Sequence, residues 1–415
     1  MAPWKKTFYT AWIAQFLSIT GFTFVLPFLP LYVQRLGIKG DEESAFWAGI
    51  CTAATATTLF LFSPLWGFLA DRYGRKPMVL RSMFSAAVIL AAMGFAQNVW
   101  QLAALRALQG CLTGTVTAST ALVASVAPRN RSGYALGMMQ SAVFVGAAVG
   151  PLIGGVLSEF LGYRAAFIGS GVLLLAGGLL VHFAAREDFT PHRLLDRSER
   201  GTFRQVFAAT GFVAVVFTLL AVRFANHVAA PVFPILVKRL WGANEGVTFL
   251  TGGIYAAAGV AVFFSAGRFG RLGQRWGHKP LLFTFALGAG VISILYVPAT
   301  TVSEVFVLRV LFGVAAAGLM ASGNTLIHER VEDRNIGKAY GVTSSVAALG
   351  MALGPLTGGY LALSAGLRTP FMVTAVLFVL TAVLIGLCIR PMVPAGAAAP
   401  DRNTAGGNGA LFSEE

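Results

Sequence analysis

The stretch LPFLPLYVQRLG, residues 26–37, returns as APVFPILVKRLW at residues 230–241. Pro27 and Pro30 fall over Pro231 and Pro234 at an offset of 204. Three further landmarks keep that distance. GFLADRYGRKP (67–77) reappears as GRLGQRWGHKP (270–280) at an offset of 203, GPLIGG (150–155) as GPLTGG (354–359), and YRAAF (163–167) as LRTPF (367–371), the last two at 204. Four landmarks in one order at one period mark a duplicated unit about 200 residues long.

The composition says what the unit is made of. Of 415 residues, 56% are hydrophobic and 12% charged, and the mean hydropathy is +0.72. Soluble domains carry about 25% charged residues, so lipid is the solvent for most of this chain. Apolar runs of about 20 residues, long enough to cross a bilayer, number twelve: 8–34, 45–70, 77–97, 99–125, 133–158, 163–185, 205–237, 247–269, 280–299, 302–328, 340–364 and 369–390. Six fall in each repeat. An even number leaves both copies with the same topology, a parallel repeat. The expectation is an all-α membrane protein of twelve transmembrane helices in two six-helix bundles facing each other across a cavity. The bundles occupy residues 1–185 and 205–390, with a charged central loop at 186–204 and a disordered tail rich in Ala, Gly and Pro at 391–415.

Charge sets the orientation. One set of loops and span ends collects 22 Lys and Arg, including Arg72, Arg75, Arg193, Arg271 and Arg334. The opposite set holds only Arg35, Lys39, Arg164, Lys238, Arg239 and Arg368. The positive-inside rule then places both termini, the central loop and the tail in the cytoplasm of a bacterial-type inner membrane. The net charge of +14 reports topology in this pattern, because no continuous basic stripe offers itself to nucleic acid. Cys51, Cys111 and Cys388 lie apart within apolar runs, giving neither a disulfide framework nor a metal site. The basic N-terminus leads into an apolar run too long for a signal-peptide core and is read as a retained first span.

GFLADRYGRKP, in the short loop between spans 2 and 3, closely resembles the signature loop of the major facilitator superfamily. The resemblance implies a gate between the bundles at the cytoplasmic mouth, carried by Gly67, Asp71, Arg72, Gly74 and Arg75. The second copy has Gln274 in place of the acid, so only the first half carries a complete latch. Arg106-x-x-Gln109-Gly110 in span 4 resembles another motif of the family. GAAVGPLIGG in span 5 resembles the antiporter motif of its drug:proton exporters, which maps onto Gly146, Gly150, Pro151, Gly154 and Gly155. Small residues at that spacing allow close helix packing. Over the chain up to Pro391 the pattern is similar to the twelve-span MdtG-type multidrug exporters. That likeness implies a monomeric secondary transporter, without cofactor, that exchanges amphipathic small molecules for protons by alternating access. A flippase of an anionic lipid or glycolipid on the same fold is the other reading.

The chain departs from proton-coupled relatives in one respect. All 17 acids lie in loops, at span ends or in the tail, Glu159 and Glu304 among them, whereas Arg106, Arg223, Arg309 and His227 lie within spans. An arginine at a helix centre costs about 2.5–3.5 kcal/mol on insertion scales, so each needs an account. Arg223 sits near the middle of span 7, in LLAVRFANHVAAPVFP (219–234), with Asn226 and His227 on the same helix face. The repeat pairs these three with Ile19, Phe22 and Thr23, so the polar group exists only in the second half. They head the candidates for substrate binding or proton coupling, with Gln15, Arg106, Gln109 and Arg309 beside them. Structural bracing competes for Arg106 and Arg309, and plain hydrogen bonding for His227. Phe16, Phe24, Tyr32, Phe144, Phe217 and Tyr255 are candidate cavity walls. The chain lacks a Gly-x-x-x-x-Gly-Lys-Ser/Thr phosphate loop, a His-Glu-x-x-His helix and a Gly-x-Ser-x-Gly elbow, so an enzyme is not expected.

Overall fold

The computed structural model describes residues 3–128, 131–187, 211–331 and 336–388. The central loop and the tail fall largely or wholly outside the described residues. The described residues form fifteen helices. The first half contains α1 (Pro3–Thr23), α2 (Leu29–Arg35), α3 (Asp41–Tyr73), α4 (Arg75–Met93), α5 (Val99–Leu112), α6 (Thr115–Val126), α7 (Ser132–Phe160) and α8 (Gly162–Ala184). The second contains α9 (Phe212–Val228), α10 (Phe233–Trp241), α11 (Val247–Trp276), α12 (His278–Leu295), α13 (Val302–Arg330), α14 (Ile336–Ala365) and α15 (Thr369–Cys388).

The paired prolines explain why spans 1 and 7 are each built from two helices. Pro27 and Pro231 sit in the breaks at 24–28 and 229–232, and Pro30 and Pro234 open the next helices. Proline supplies no amide for the helix ladder and disfavours helical geometry at the residue before it, but it is tolerated in a first turn. Span 4 breaks as well, at Thr113–Gly114, where Gly114 adopts φ +129°. The signature loop and its copy turn at Gly74 and Gly277, with φ of +98° and +87°, where an L side chain would be strained.

Among the described residues, eleven helical segments are long and apolar enough to cross a membrane. The segment missing from that set is α1, whose 21 residues include Lys5, Lys6, Gln15 and several hydroxyls. Its repeat partner α9, continued by α10, belongs to the set, and α1 itself packs against α6, α7 and α8. Packing follows the repeat. α1 lies on α7 as α9 lies on α14, α3 on α5 as α11 on α13, and α4 on α8 as α12 on α15.

The halves meet along two equivalent seams, α3 against α14 and α7 against α11. Both seams are tight at one end only. A Cβ on Gly49 or Gly359 would strike the backbone of Pro355 or Phe46, and one on Gly155, Gly252 or Gly259 would strike Thr248, Pro151 or Ala148. Toward the other end Gly67, Gly133, Gly137, Gly267, Gly270 and Gly341 have no atom within 4 Å of such a Cβ. An apolar cluster also crosses the tight end, joining Leu31 and Ala45 to Val232, Phe233 and Leu236. The cavity between the bundles is thus sealed at the end carrying residues 34–49 and 238–248. It is splayed at the end carrying the signature loop.

Candidate functional site

On α9, Arg223 and Asn226 line a recess against Ala316, Leu319 and Met320 of α13. The neighbouring α14 presses on the same helix through a glycine face. A Cβ on Gly350 would lie 2.9 Å from that of Arg223, and one on Gly354 would lie 2.8 Å from that of His227. The Nδ1 atom of His227 is 2.7 Å from the Arg223 carbonyl oxygen. A carbonyl can only accept, so Nδ1 carries the proton and Nε2 is the nitrogen left to exchange one. The guanidinium of Arg309 stands over Phe233 and Tyr255, 4.5 and 4.6 Å from their centroids, and 5.7 Å from that of Phe312. The quadrupole of each ring supplies the negative face that a carboxylate would otherwise supply. The recess therefore holds Arg223 and Asn226, with His227 one turn along from Arg223 on α9 and Arg309 packed against aromatic rings of α10, α11 and its own helix. No carboxylate pairs with either arginine among the described residues.

The first-half candidates do not join them. Arg106, only 8% exposed, donates from Nη1 to Gln109 Oε1 at 3.2 Å, and its carbonyl accepts from Thr55 at 2.9 Å. Gly110 lets α5 touch the Thr55 backbone directly, so this motif ties α5 to α3. Gln15 is buried and donates to the Met139 carbonyl at 2.9 Å, binding α1 to α7. Two of the expected wall residues also turn inward. Tyr32 donates to the Met93 carbonyl at 2.8 Å and packs on Tyr163 and Phe167, and Phe24 is 2% exposed. Burial of an aromatic ring with its hydroxyl satisfied is core packing. Tyr255 is spent on Arg309.

The glycines of span 5 divide into two faces. Gly146, Gly150 and Gly154 press on Ile19, Thr20 and Phe24 of the first span, as Gly350, Gly354 and Gly358 press on Arg223, Phe224 and Val228. Gly155, one residue on, faces Thr248 and Gly252 across the seam. Pro151 contributes the carbonyl against which Gly252 rests. One stretch therefore serves packing within a half and closure between halves.

Polar locks reinforce the sealed end. Glu159, at the close of α7, accepts from the amides of Gly246 and Thr248 at 2.6 and 3.2 Å, and from the Thr248 hydroxyl at 2.6 Å. A carboxylate from one half thus caps the N-terminus of a helix in the other, where amides lack partners and the dipole is positive. Across the second seam Lys238 and Arg239 reach Asp41 at 3.4 and 3.2 Å, and Arg239 reaches Glu42 at 3.0 Å. The sequence signal for these locks was the acidic run 41–43 opening α3 and the lone acid closing span 5. Their partners could be found only once the halves were juxtaposed.

At the splayed end the signature loop makes no cross-half ion pair among the described residues. Asp71 and Arg72 are exposed and form no ion pair there, Arg72 standing 5.5 Å from the Tyr73 ring. The start of α4 is fixed within its own half. Glu187 accepts from the Arg75 and Lys76 amides at 2.7–3.0 Å, and Lys76 donates to the carbonyls of His182 and Ala185.

The Major Facilitator Superfamily description matches residues 11–301 and again 215–411, the overlap expected of a chain whose second half restates its first. The chain belongs to the major facilitator superfamily. It is 34% identical over 380 residues to the multidrug resistance protein MdtG of Proteus mirabilis, covering 90% of this chain and 93% of that protein. It is 36% identical over 395 residues to MdtG of Enterobacter lignolyticus, covering 93% of each. Among solved structures, a bacterial homolog of the human lysosomal transporter Spinster superposes with a TM-score of 0.79 at 17% identity, over 95% of this chain and all of that one. The nucleoside transporter NupG superposes at 0.75 and 12% identity, over 92% of this chain and all of that one. These structures fix the superfamily fold alone. As a member of this transporter family the chain is a multi-pass membrane protein of bacterial inner-membrane type and not an enzyme.

Proposed function

We propose that the chain is a multidrug exporter working by proton antiport, with the cation cluster of α9 and α13 as its cargo site. Relatives called multidrug resistance proteins match it over nearly their whole length. The observation that carries the reading is that Arg223 and Asn226 line a recess of the cavity with no acid in its lining. Such a site favours neutral or anionic amphipaths, whose polar group meets Arg223 and whose apolar body lies along Leu219, Leu319 and Met320. With the basic end in the cytoplasm, the splayed mouth faces inward and is ready to load cargo. Releasing it outward requires the seams at Gly155 and Gly359 to part while Gly67 and Gly270 close. The Nε2 atom of His227 is the proposed proton carrier, being the ring nitrogen that the Arg223 carbonyl does not engage. Cargo lying against Asn226 would cover this atom, so that proton and cargo occupy the site in turn.

The same lack of acids favours, as a second reading, an anionic lipid headgroup as cargo. Transport by the purified protein in proteoliposomes separates the two. A panel of amphipathic anions, cations and neutral compounds is tested with and without an imposed pH gradient, beside a fluorescent anionic lipid. Gradient-driven movement of the small molecules is expected. Equal rates with and without the gradient would remove proton antiport, and lipid movement without drug movement would select the flippase.

A further inference from the structure

The sealed end contains a polar cleft that the transport cycle leaves unused. Its cavity volume is about 260 Å³, and both halves build it. Gln34, Arg35 and Tyr163 line it from the first half, and Lys238, Asn244 and Val247 from the second. Two of these side chains are cations, three are neutral hydrogen-bonding groups, and none is an acid. The carboxylates bordering the cleft are committed elsewhere. Asp41 takes hydrogen bonds from Gln34, Lys238 and Arg239, and Glu159 takes those of Gly246 and Thr248. Arg35 is exposed, lies beside Tyr163 in the cleft wall and forms no ion pair among the described residues. Two N–H groups of Lys238 go to Gln34 and Asp41, and the Gln34 amide goes to Asp41, so the Arg35 guanidinium, the third Lys238 N–H, the Tyr163 hydroxyl and the Asn244 amide are the donors left to an oxyanion.

We propose that this cleft binds a small oxyanion, a phosphate or carboxylate, and that its occupancy holds the sealed end shut. The second statement follows from the first by linkage. Arg35 and Lys238 stand on opposite halves, so the cleft exists only while those halves are together. A ligand that binds one of two states stabilises that state in proportion to its saturation. The site would thus act as a brake on turnover from the side opposite the cargo entrance, whichever cargo is carried. A free anion and the headgroup of an anionic lipid offer the same chemistry.

The test uses the full chain with Cys51, Cys111 and Cys388 replaced by Ser and nitroxides at Gln97→Cys and Ser303→Cys, one on each half at the sealed end. Pulsed-EPR distances are recorded in neutral-lipid nanodiscs as inorganic phosphate is titrated against chloride at matched ionic strength. The short-distance population is expected to rise saturably with phosphate and not with chloride. Losing one charged donor raises the midpoint about tenfold in Arg35→Gln. A second set of nanodiscs contains phosphatidylglycerol without phosphate. A shift there that Arg35→Gln abolishes names the headgroup as the source and still supports the site. Identical distributions in phosphate, chloride and phosphatidylglycerol would overturn the proposal, as would a phosphate response undiminished in Arg35→Gln of unchanged thermal stability. The outcome is independent of proton antiport, because no cargo or pH gradient enters the measurement.

Discussion

The Glu159 carboxylate and Thr248 join the two halves of the transporter twice, through the threonine hydroxyl at 2.6 Å and its amide at 3.2 Å. Charge-assisted hydrogen bonds of this kind contribute roughly 1.5–3 kcal/mol. The ion pairs of the other seam contribute less, on the order of 0.2–1 kcal/mol each, because Arg239 is half exposed and water screens it. The lock at Glu159 therefore governs the sealed end. Replacing it by Gln keeps the shape and removes the charge. The prediction for Glu159→Gln is a roughly tenfold gain in the population with that end open, read from the Gln97–Ser303 nitroxide distance. Asp41→Asn is expected to shift the same distance distribution much less.

Glycine substitutions along the seams separate closure from stability. In Gly155→Ala the new methyl would fall 2.5 Å from the Thr248 carbonyl oxygen, a contact that only separation of the halves relieves. This variant is expected to favour the state open at that end. Gly67→Ala meets no atom in the present state. It should leave the melting temperature unchanged while slowing transport, because the splayed end must close around that position. Equal effects of the two variants on the distance measurement would contradict this assignment.

For cargo, Arg223→Gln is predicted to reduce export of an amphipathic anion by about tenfold, the value of one charged hydrogen bond. Export of a neutral amphipath should change little. Uptake of matched compounds from the medium into everted vesicles provides the measurement. A uniform loss across the panel would make Arg223 a scaffold residue.

Tyr32→Phe removes one buried hydrogen bond, to the Met93 carbonyl, at a cost of about 1 kcal/mol. The expected outcome is a lower melting temperature with an unchanged substrate profile. A changed profile would return Tyr32 to the cavity wall.

The repeat made the fold legible before any coordinates. A proline pair, a turn glycine and a Gly-Pro stretch at one period give six spans twice, and the prolines even mark where spans 1 and 7 break. The polar residues of α9 stand out in the sequence as well, because Arg223 has Ile19 as its counterpart in a duplicated chain. The fate of Arg309 was not. Its compensating partners are aromatic rings on α10, α11 and its own helix, and no local pattern announces a cation held by neutral faces. Gln15 and Tyr32 misled for the opposite reason. Polar atoms in an apolar run read as cavity residues, yet each meets a backbone carbonyl on a neighbouring helix. The cross-half locks were hidden because a helix N-terminus has no sequence signature as a ligand for a distant carboxylate.

The two glycine faces of α7 have a mechanical consequence. Three contacts weld this helix to α1, while the neighbouring face meets α11 at Gly155 and Gly252 without side chains between them. In an alternating-access cycle α7 would therefore move with α1 as one leaf of a hinge and α11 with α13 as the other, with the backbone itself as the bearing surface. A covalent staple between α1 and α7 should leave the machine running. The same staple placed between α7 and α11 should stop it in mid-stroke.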